Sequence, residues 1–482
     1  MEHGTGLGGF GGGLEDPSLY DPAFVTEMNK ALTAGSSVNN PGAAAGEGFP
    51  LRVEDLEATL YSVTFEQKHI RFWNTLYKDR VGNTIVEFNR LLERGSGNAI
   101  FMGEGDLPAE DDSTYERAYT KIKFMGSVRR VSHVMNLMNA AHGDAIAREA
   151  KNGTLFLLRE IERNLFHGDE DLLGLQFNGL EKLLVNAWGS TLEEDDQWSG
   201  WGSSNAVDMR SSMSEDIITD MADVLVNGPN YGEPNVFWSG TSPIKDLSKT
   251  MYPKERTTMG EKGVAGNFVE KVRTPFGDIR LEPDIFIDSS PKADPNGVGP
   301  AGTRPAAPGV AGIASPVYGG SYKAFWTIAD QGSYYYRVVA VNRYGKSAPV
   351  NSAQIAVSAG DVVTFTVTSG TDTSYFEVYR TTKDETDITK ARLISRHPRR
   401  TATQVITDKN RFLPGTSKGY MLTQTTEVLK WRQLSPYVKM PLAQIDTSIR
   451  FMLLLYGGLQ VMAPGKCGIM FNIKPLATGA FA

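Results

Sequence analysis

Between Arg117 and His133 the chain reads RAYTKIKFMGSVRRVSH, with Tyr119, Ile122, Phe124, Val128 and Val131 set among lysines and arginines. The partial alternation of Lys121, Ile122, Lys123 and Phe124 predicts a two-faced strand. Extended, this stretch reaches ~55 Å at ~3.3 Å per residue, against a radius of gyration of ~23 Å for a compact chain of this length. Part of it must therefore protrude. An isolated two-stranded ribbon is marginal in water, so the protrusion needs another surface to lie on, and a neighbouring copy of the chain supplies one.

Upstream, a short apolar strand from Ala99 to Met102 runs into GEGDLPAEDDSTYER, which places Glu104, Asp106, Glu110, Asp111, Asp112 and Glu116 near one another. Residues 96–140 are expected to form an extended hairpin with an acidic tip. That much carboxylate suggests calcium, but the spacing does not match an EF-hand loop and Leu107-Pro108 interrupts it. An interface-pairing tip fits better. The residues expected to touch a neighbouring copy are Asp106, Glu110, Asp111 and Asp112 at the tip, facing basic groups, and Lys121, Lys123, Arg129 and Arg130 along the ribbon.

Residues 1–50 contain Gly4, Gly6, Gly8, Gly9, Gly11 to Gly13 and the stretch GSSVNNPGAAAGEG with few apolar residues between. Such a segment cannot offset an ordering entropy of ~1–2 kcal/mol per residue, so an arm that orders on a partner is expected. Residues 51–95 then read as a helix, from Val53, Leu56 and Leu60, and an extended link. Asp144 to Phe166 carries Ile146, Ala150, Leu157, Ile161 and Leu165 at close to four-residue spacing. It predicts an amphipathic helix of ~35 Å capped by Asp144, with Gly153 marking a bend or a close contact. A second helix follows a capping box at Ser212 and Glu215 and stops at Asn227-Gly228-Pro229. Val236 to Ser239 reads as a buried strand, and Thr274 to Asp278 as a turn before strands at Ile279–Leu281 and Ile285–Ile287.

The stretch SSPKADPNGVGPAGTRPAAPG, residues 289–309, marks a boundary. Beyond it come short β-runs at Tyr334–Asn342, Gln354–Val357, Val362–Thr368, Tyr375–Arg380 and Thr403–Thr407, which predict a β-sandwich over 303–420. Tyr334, Tyr336, Val338 and Ala340 would face one side of their strand, and Tyr335, Arg337, Val339 and Val341 the other. Residues 421–482 return to mixed strands (Arg450–Tyr456, Gly458–Ala463, Cys467–Ile473) too short for a domain alone. They should complete the sheet interrupted near residue 289, which makes the sandwich an insertion.

Few features point to chemistry. Cys467 is the only cysteine, which excludes an internal disulfide and a cysteine-rich zinc site. The histidines at 3, 69, 133, 142, 167 and 397 have no metal-ligand spacing. No strand–glycine loop–helix pattern is present. Glu160 and Glu162 read as a charged helix face, and the run from Arg392 to Arg400 as an edge strand kept from pairing. A net charge of -7 disfavours a general polyanion reader. No basic and apolar leader opens the sequence, and no apolar run approaches ~20 residues, so a protein used in an aqueous compartment, without a membrane, is expected.

The order of arm, hairpin, long helix, mixed α/β region and C-terminal strands resembles the major capsid protein fold of tailed bacteriophages. The likeness rests on GEGDLPAEDDSTYERAYTKIKFMGSVRRVSHV, similar to that family's extended loop, and on Asp144 to Phe166, similar to its spine helix. YPKERTTMGEKGVAGNFVEKVRTPFGDIRLEPDIF and RFMLLLYGGLQVMAPGKCGIMFNI extend it over nearly everything outside the insertion. The resemblance implies an α+β fold, with peripheral and axial capsid domains built from 141–300 and 421–482. It implies a structural protein, not an enzyme, with no cofactor and no catalytic or metal site. Copies would form hexamers and pentamers of an icosahedral shell enclosing double-stranded DNA on its inner face. Scaffold, portal and decoration proteins would be its partners, and assembly would take place in the host bacterial cytoplasm.

Within the insertion, the segment from Gly332 to Ser347, GSYYYRVVAVNRYGKS, is similar to a late strand of fibronectin type III and related immunoglobulin-like domains. Here further strands follow it, so the strand order departs from theirs. Immunoglobulin-like insertions in phage capsid proteins typically decorate the exterior, which the resemblance implies for 303–420. An encapsulin-like nanocompartment shell and a secreted adhesin or carbohydrate-binding protein are the alternative readings.

Overall fold

The structure, a computed structural model, describes residues 64–95, 104–105, 107, 110–138, 144–185, 205–228, 230–251, 269–287, 291–300, 302–316, 325–444 and 446–476. The expected arm at 1–50, the helix predicted from Val53 to Leu60, the strand Ala99–Met102 and Asp106 lie outside the described residues.

The first described elements are α1 (Phe72–Thr75), β1 (Lys78–Arg80), β2 (Ile85–Glu93), β3 (Thr114–Lys121), β4 (Lys123–Ser132), α2 (His133–Leu137), α3 (Ala145–His167) and α4 (Leu180–Leu184). α3 is the helix expected from the four-residue spacing. The Asp144 carboxylate accepts the Ile146 N–H at 2.9 Å, and Leu157, Ile161, Leu165 and Phe166 are buried along one stripe. Each of these large side chains contributes about 1.5–3 kcal/mol by leaving water. β2 and β3 form an antiparallel ribbon in which Phe88 opposes Ala118 and Leu91 opposes Tyr115. Its first strand falls where a helix and link were expected. The helical spacing of Val53, Leu56 and Leu60 does not continue past Gly82, and from Ile85 onward the residues alternate with a period of two.

Next come β5 (Ala206–Asp208), α5 (Glu215–Val226), β6 (Val236–Ser239), α6 (Thr241–Met251), β7 (Lys271–Thr274) and β8 (Gly277–Pro283). α5 starts two residues later than its predicted cap. Ser214, not Ser212, accepts the Ile217 N–H, and Met213 between them is buried in the core. Ile285–Ile287 is not a strand, because the Asp284 carboxylate accepts the Phe286 N–H at 2.8 Å and turns the chain.

Among the described residues the interruption holds ten strands: β9 (Gly309–Ala314), β10 (Gly332–Tyr334), β11 (Tyr336–Asn342), β12 (Gly345–Lys346), β13 (Val350–Asn351), β14 (Ile355–Val357), β15 (Val363–Thr368), β16 (Tyr375–Arg380), β17 (Arg392–Pro398) and β18 (Thr403–Asp408). One sheet runs β18-β15-β9 and another β12-β11-β16-β17, with β13 also on β11. Tyr336, Val338 and Ala340 of β11 meet Val363, Phe365 and Val367 of β15 in the core between them. The other face of β11 is apolar too. Val339 and Val341 pack with Tyr379, Leu393 and Ala293. Ala293 belongs to the Pro/Gly-rich stretch read as a boundary. That stretch is a strap: Leu393 N–H donates to Pro291 O at 3.1 Å, and Val298 and Lys346 exchange backbone hydrogen bonds.

After the sandwich come β19 (Ser417–Leu422), β20 (Leu429–Pro441), β21 (Ser448–Val461) and β22 (Gly468–Ile473). β19 lies partly inside the range expected for the sandwich but pairs with β6 and β22 in a six-stranded sheet of order β5-β22-β19-β6-β8-β7. Pro283 at the end of β8 and Gly419 in β19 are both in register with Ser239, on its two sides. The chain thus leaves and rejoins the sheet about 10 Å apart. A second sheet, β1-β20-β21-β4, packs against α3. The two strands expected on either side of Gly457 are one. A Cβ there would stand 2.4 Å from the Trp431 indole, so the glycine makes room for a ring and does not break the strand.

Candidate assembly surfaces

Period-two alternation divides β4 between two environments. Met125 and Val131 point toward α3, whereas Phe124 (62 % exposed) and Val128 (60 % exposed) point away. In the neighbouring strand Tyr456 opposes Phe124, Leu454 opposes Gly126 and Met452 opposes Val128. Phe124 and Tyr456 meet edge to face at 5.1 Å. Met440 and Val438 of β20 continue the row opposite Met452 and Leu454. Val134, Leu137 and Met138 beyond β4 are also exposed. An apolar face three strands wide is larger than scattered surface hydrophobics require and has the character of an interaction surface.

The ribbon is tied to the body partway along its length and open on one side. Arg90 donates to Met462 O at 2.7 Å and Val461 O at 3.0 Å, and Glu116 lies 3.3 Å from the guanidinium. Ile85, Leu91, Tyr115 and Tyr119 stay exposed on the other face. Arg90 was not singled out in the sequence; its place in the alternation opposite Glu116 was the available signal.

The predicted contact residues separate into three groups. Glu110, Asp111 and Asp112 are exposed at the start of the returning strand, where Asp111 closes on Gly95, whose φ of +149° and 2.6 Å clearance leave no room for a Cβ. Lys121 and Lys123 converge on Glu170 at 2.9 and 2.8 Å. Burial works against ionising Glu170, but the two ammonium groups hold its carboxyl below the usual range. Arg129 turns inward, 3.8 Å from Glu149 and over the Phe156 ring. Arg130 faces out, 3.8 Å from Asp446. The basic residues expected to line one contact therefore face different environments, and each of the four has an acidic partner within the chain.

Two other charged clusters lie inside. Glu162, read as part of a charged helix face, is fully buried; it is in step with Leu158, Ile161 and Leu165, which was the overlooked signal. His167 lies 3.2 Å from Glu181, which also takes Lys418 Nζ at 2.6 Å. Burial pushes the His167 imidazole down to about 4. Burial opposes ionisation of Glu181, yet Lys418 and His167 hold it well below the carboxylate range. Arg396, in the basic run of the edge strand β17, turns inward to Glu377 at 3.5 Å. Burial pushes the Cys467 thiol up to about 12. Among the described residues no three His, Cys, Asp or Glu side chains are placed to hold a metal, and no helix is long and apolar enough to cross a membrane.

No family model matches the chain. It is 24% identical over 488 residues to the major capsid protein of Staphylococcus phage K, spanning 95% of this chain and 97% of that one. The putative major capsid protein of Enterococcus phage phiEF24C is 24% identical over 476 residues, 94% of this chain and 96% of its own. Among solved structures, the capsid of Myoviridae phage XM1 covers 87% of this chain and 96% of its own at 9% identity and a TM-score of 0.43, too loose a likeness to carry weight. The end-to-end sequence similarity makes this chain a homologue of the phage major capsid proteins.

Proposed function

We propose that the chain is the principal shell subunit of a tailed phage, and that copies assemble by laying the open face of one ribbon over the outward face of a neighbour's β1-β20-β21-β4 sheet. The apolar row through exposed Phe124 and Val128 and half-buried Met452 and Tyr456 carries this reading, because a solvated sheet face would alternate to polar residues there. Ile85, Leu91, Tyr115 and Tyr119 supply a ribbon face of matching character. Each contact is weak alone, and a closed symmetric lattice satisfies all of them together. The tip acids Asp106, Glu110, Asp111 and Asp112 would meet basic residues of the neighbour, with Arg130 of β4 the one best placed to reciprocate. The protein acts as structure, with DNA on the shell's inner face and with scaffold, portal and decoration proteins as further partners, and it assembles in the host cytoplasm.

The inserted sandwich is read as an immunoglobulin-like module displayed outside. A three-stranded and a five-stranded sheet pack face to face as in that class, although β11 comes earlier in the chain than its counterpart would. Electron microscopy of the purified full chain tests the whole proposal. Shells are expected from the natural sequence, and folded, unassembled subunits from Val128→Asp and from the paired reversal Asp111→Lys with Asp112→Lys. Normal shells from Val128→Asp would exclude the sheet face, and normal shells from the paired reversal would remove the tip. Nuclease-protected DNA inside particles from infected cells separates a virion from an encapsulin-like compartment holding protein cargo.

A further inference from the structure

Two buried carboxyl groups meet where the chain enters the body from its N-terminal side. Glu162 of α3 takes three backbone N–H groups. Its Oε1 accepts from Arg71 at 2.8 Å and Phe72 at 2.6 Å, and its Oε2 from Trp73 at 2.7 Å. These bonds seat an aromatic pair. Phe72 packs at 4.9 Å on Phe166 and 5.2 Å on Trp238, and Trp73 at 4.9 Å on Trp431. Asp284, 1 % exposed, reaches the same point from the turn after β8. Its Oδ1 accepts the Phe286 N–H, while its Oδ2 is buried without a hydrogen-bond donor, in reach of the Glu162 carboxyl.

An acceptor facing an acceptor in a water-poor site is repulsive unless a proton lies between them. We propose that one proton shared by Asp284 Oδ2 and Glu162 fastens residues 71–76 to α3, and that its loss loosens that segment. Of the charged groups around the pair, Arg71 favours an ionised Asp284 but does not outweigh its burial. The Arg71 guanidinium is 3.7 Å from Glu282, and Lys78 Nζ donates to Trp73 O and Leu76 O. Burial, and then the charge of Asp284, raises Glu162; burial raises Asp284 as well. A carboxyl raised on folding stabilises the fold fully below its unfolded range near 4.5 and progressively less as pH rises through its folded value. The latch therefore holds in acid and at neutrality and weakens in alkali, whether or not the chain builds shells.

Asp284→Asn tests it, because the amide Nδ2 takes the place of the orphaned oxygen and donates to an ionised Glu162 while Oδ1 keeps Phe286. For the natural chain the thermal midpoint should fall from about pH 4.5 to about pH 8 and level off above it, with the folding constant dropping by up to about tenfold per pH unit. Asp284→Asn should flatten that slope. Infrared spectra at pH 7 should show a protonated buried carboxyl in the natural chain that the variant lacks. Parallel pH curves, or no protonated carboxyl in the natural chain, would overturn the proposal. The infrared measurement on the natural chain decides it even if the variant does not fold.

Discussion

A Cβ atom on Gly153 would stand 2.5 Å from Leu453 Cδ1 and 3.1 Å from Arg129 Nε, so the midpoint of α3 lies directly against β21 and β4. Alanine improves helix propensity by about 1 kcal/mol, but overpacking a filled core costs about 1–3 kcal/mol. Gly153→Ala is expected to destabilise by about 1 kcal/mol net, and Gly153→Val by more, in urea denaturation. A stabilised Gly153→Ala would mean that Leu453 can move aside.

Arg90 caps two backbone carbonyls at the end of β21 from a strand of the ribbon. Hydrogen bonds from a charged donor contribute about 1.5–3 kcal/mol. Arg90→Ala should leave the six-stranded sheet intact while speeding amide exchange in Ile85–Glu93 and Thr114–Lys121. Unchanged exchange there would show that the ribbon holds without its clamp.

His167 is kept neutral in the fold, so it contributes stability that is fully present above its unfolded value of 6.5 and lost as pH falls toward about 4. That gap corresponds to at most about 3 kcal/mol. His167→Gln, which keeps a donor for Glu181, should flatten the acid side of the stability profile between about pH 6.5 and 4. An unchanged acid limb would place the sensitive group elsewhere.

In the sandwich, Arg380 Nη1 donates to Asp408 at 2.5 Å and Nη2 to Asn410 Oδ1 at 2.6 Å, with the Trp326 ring centroid 4.6 Å from the guanidinium. The pair joins the two sheets. Arg380→Met alone strands a buried carboxylate and should cost about 3–5 kcal/mol, read as faster proteolysis between Gly309 and Asp408. Adding Asp408→Asn should recover much of the loss. No recovery would show that the arginine acts through packing and not through charge.

Where one side of an element is apolar and the other is not, the sequence was legible. α3 shows it; in β11 the alternation separates the two residue sets although both faces are apolar. Elements defined by distant partners were not. The strap at Pro291–Val298 looks like a linker because its partners, Lys346 and Leu393, are about 50 to 100 residues away. That Val339 and Val341 leave β11 without a polar face was the clue that something must cover it. The candidate surfaces were half visible. Phe124 and Val128 stood out in the alternation, but that Met452, Leu454 and Tyr456 extend them into a patch depends on a pairing across more than 300 residues. Likewise, nothing local to Lys121 or Lys123 announces Glu170.

Pro283 and Gly419 flank the same residue, Ser239, so the six-stranded sheet closes whether the intervening chain is a short turn or a hundred-residue module. Loop-closure entropy grows only slowly with length, so the splice asks little of whatever occupies it. Arg210 adds orientation, donating to Phe325 O and Asn410 O across the seam, and Asn472 adds more, accepting the Leu413 N–H and donating to Arg411 O. A foreign domain with neighbouring termini could be grafted at this junction, its tilt tuned through a few polar side chains, while the rest of the subunit evolves on its own terms.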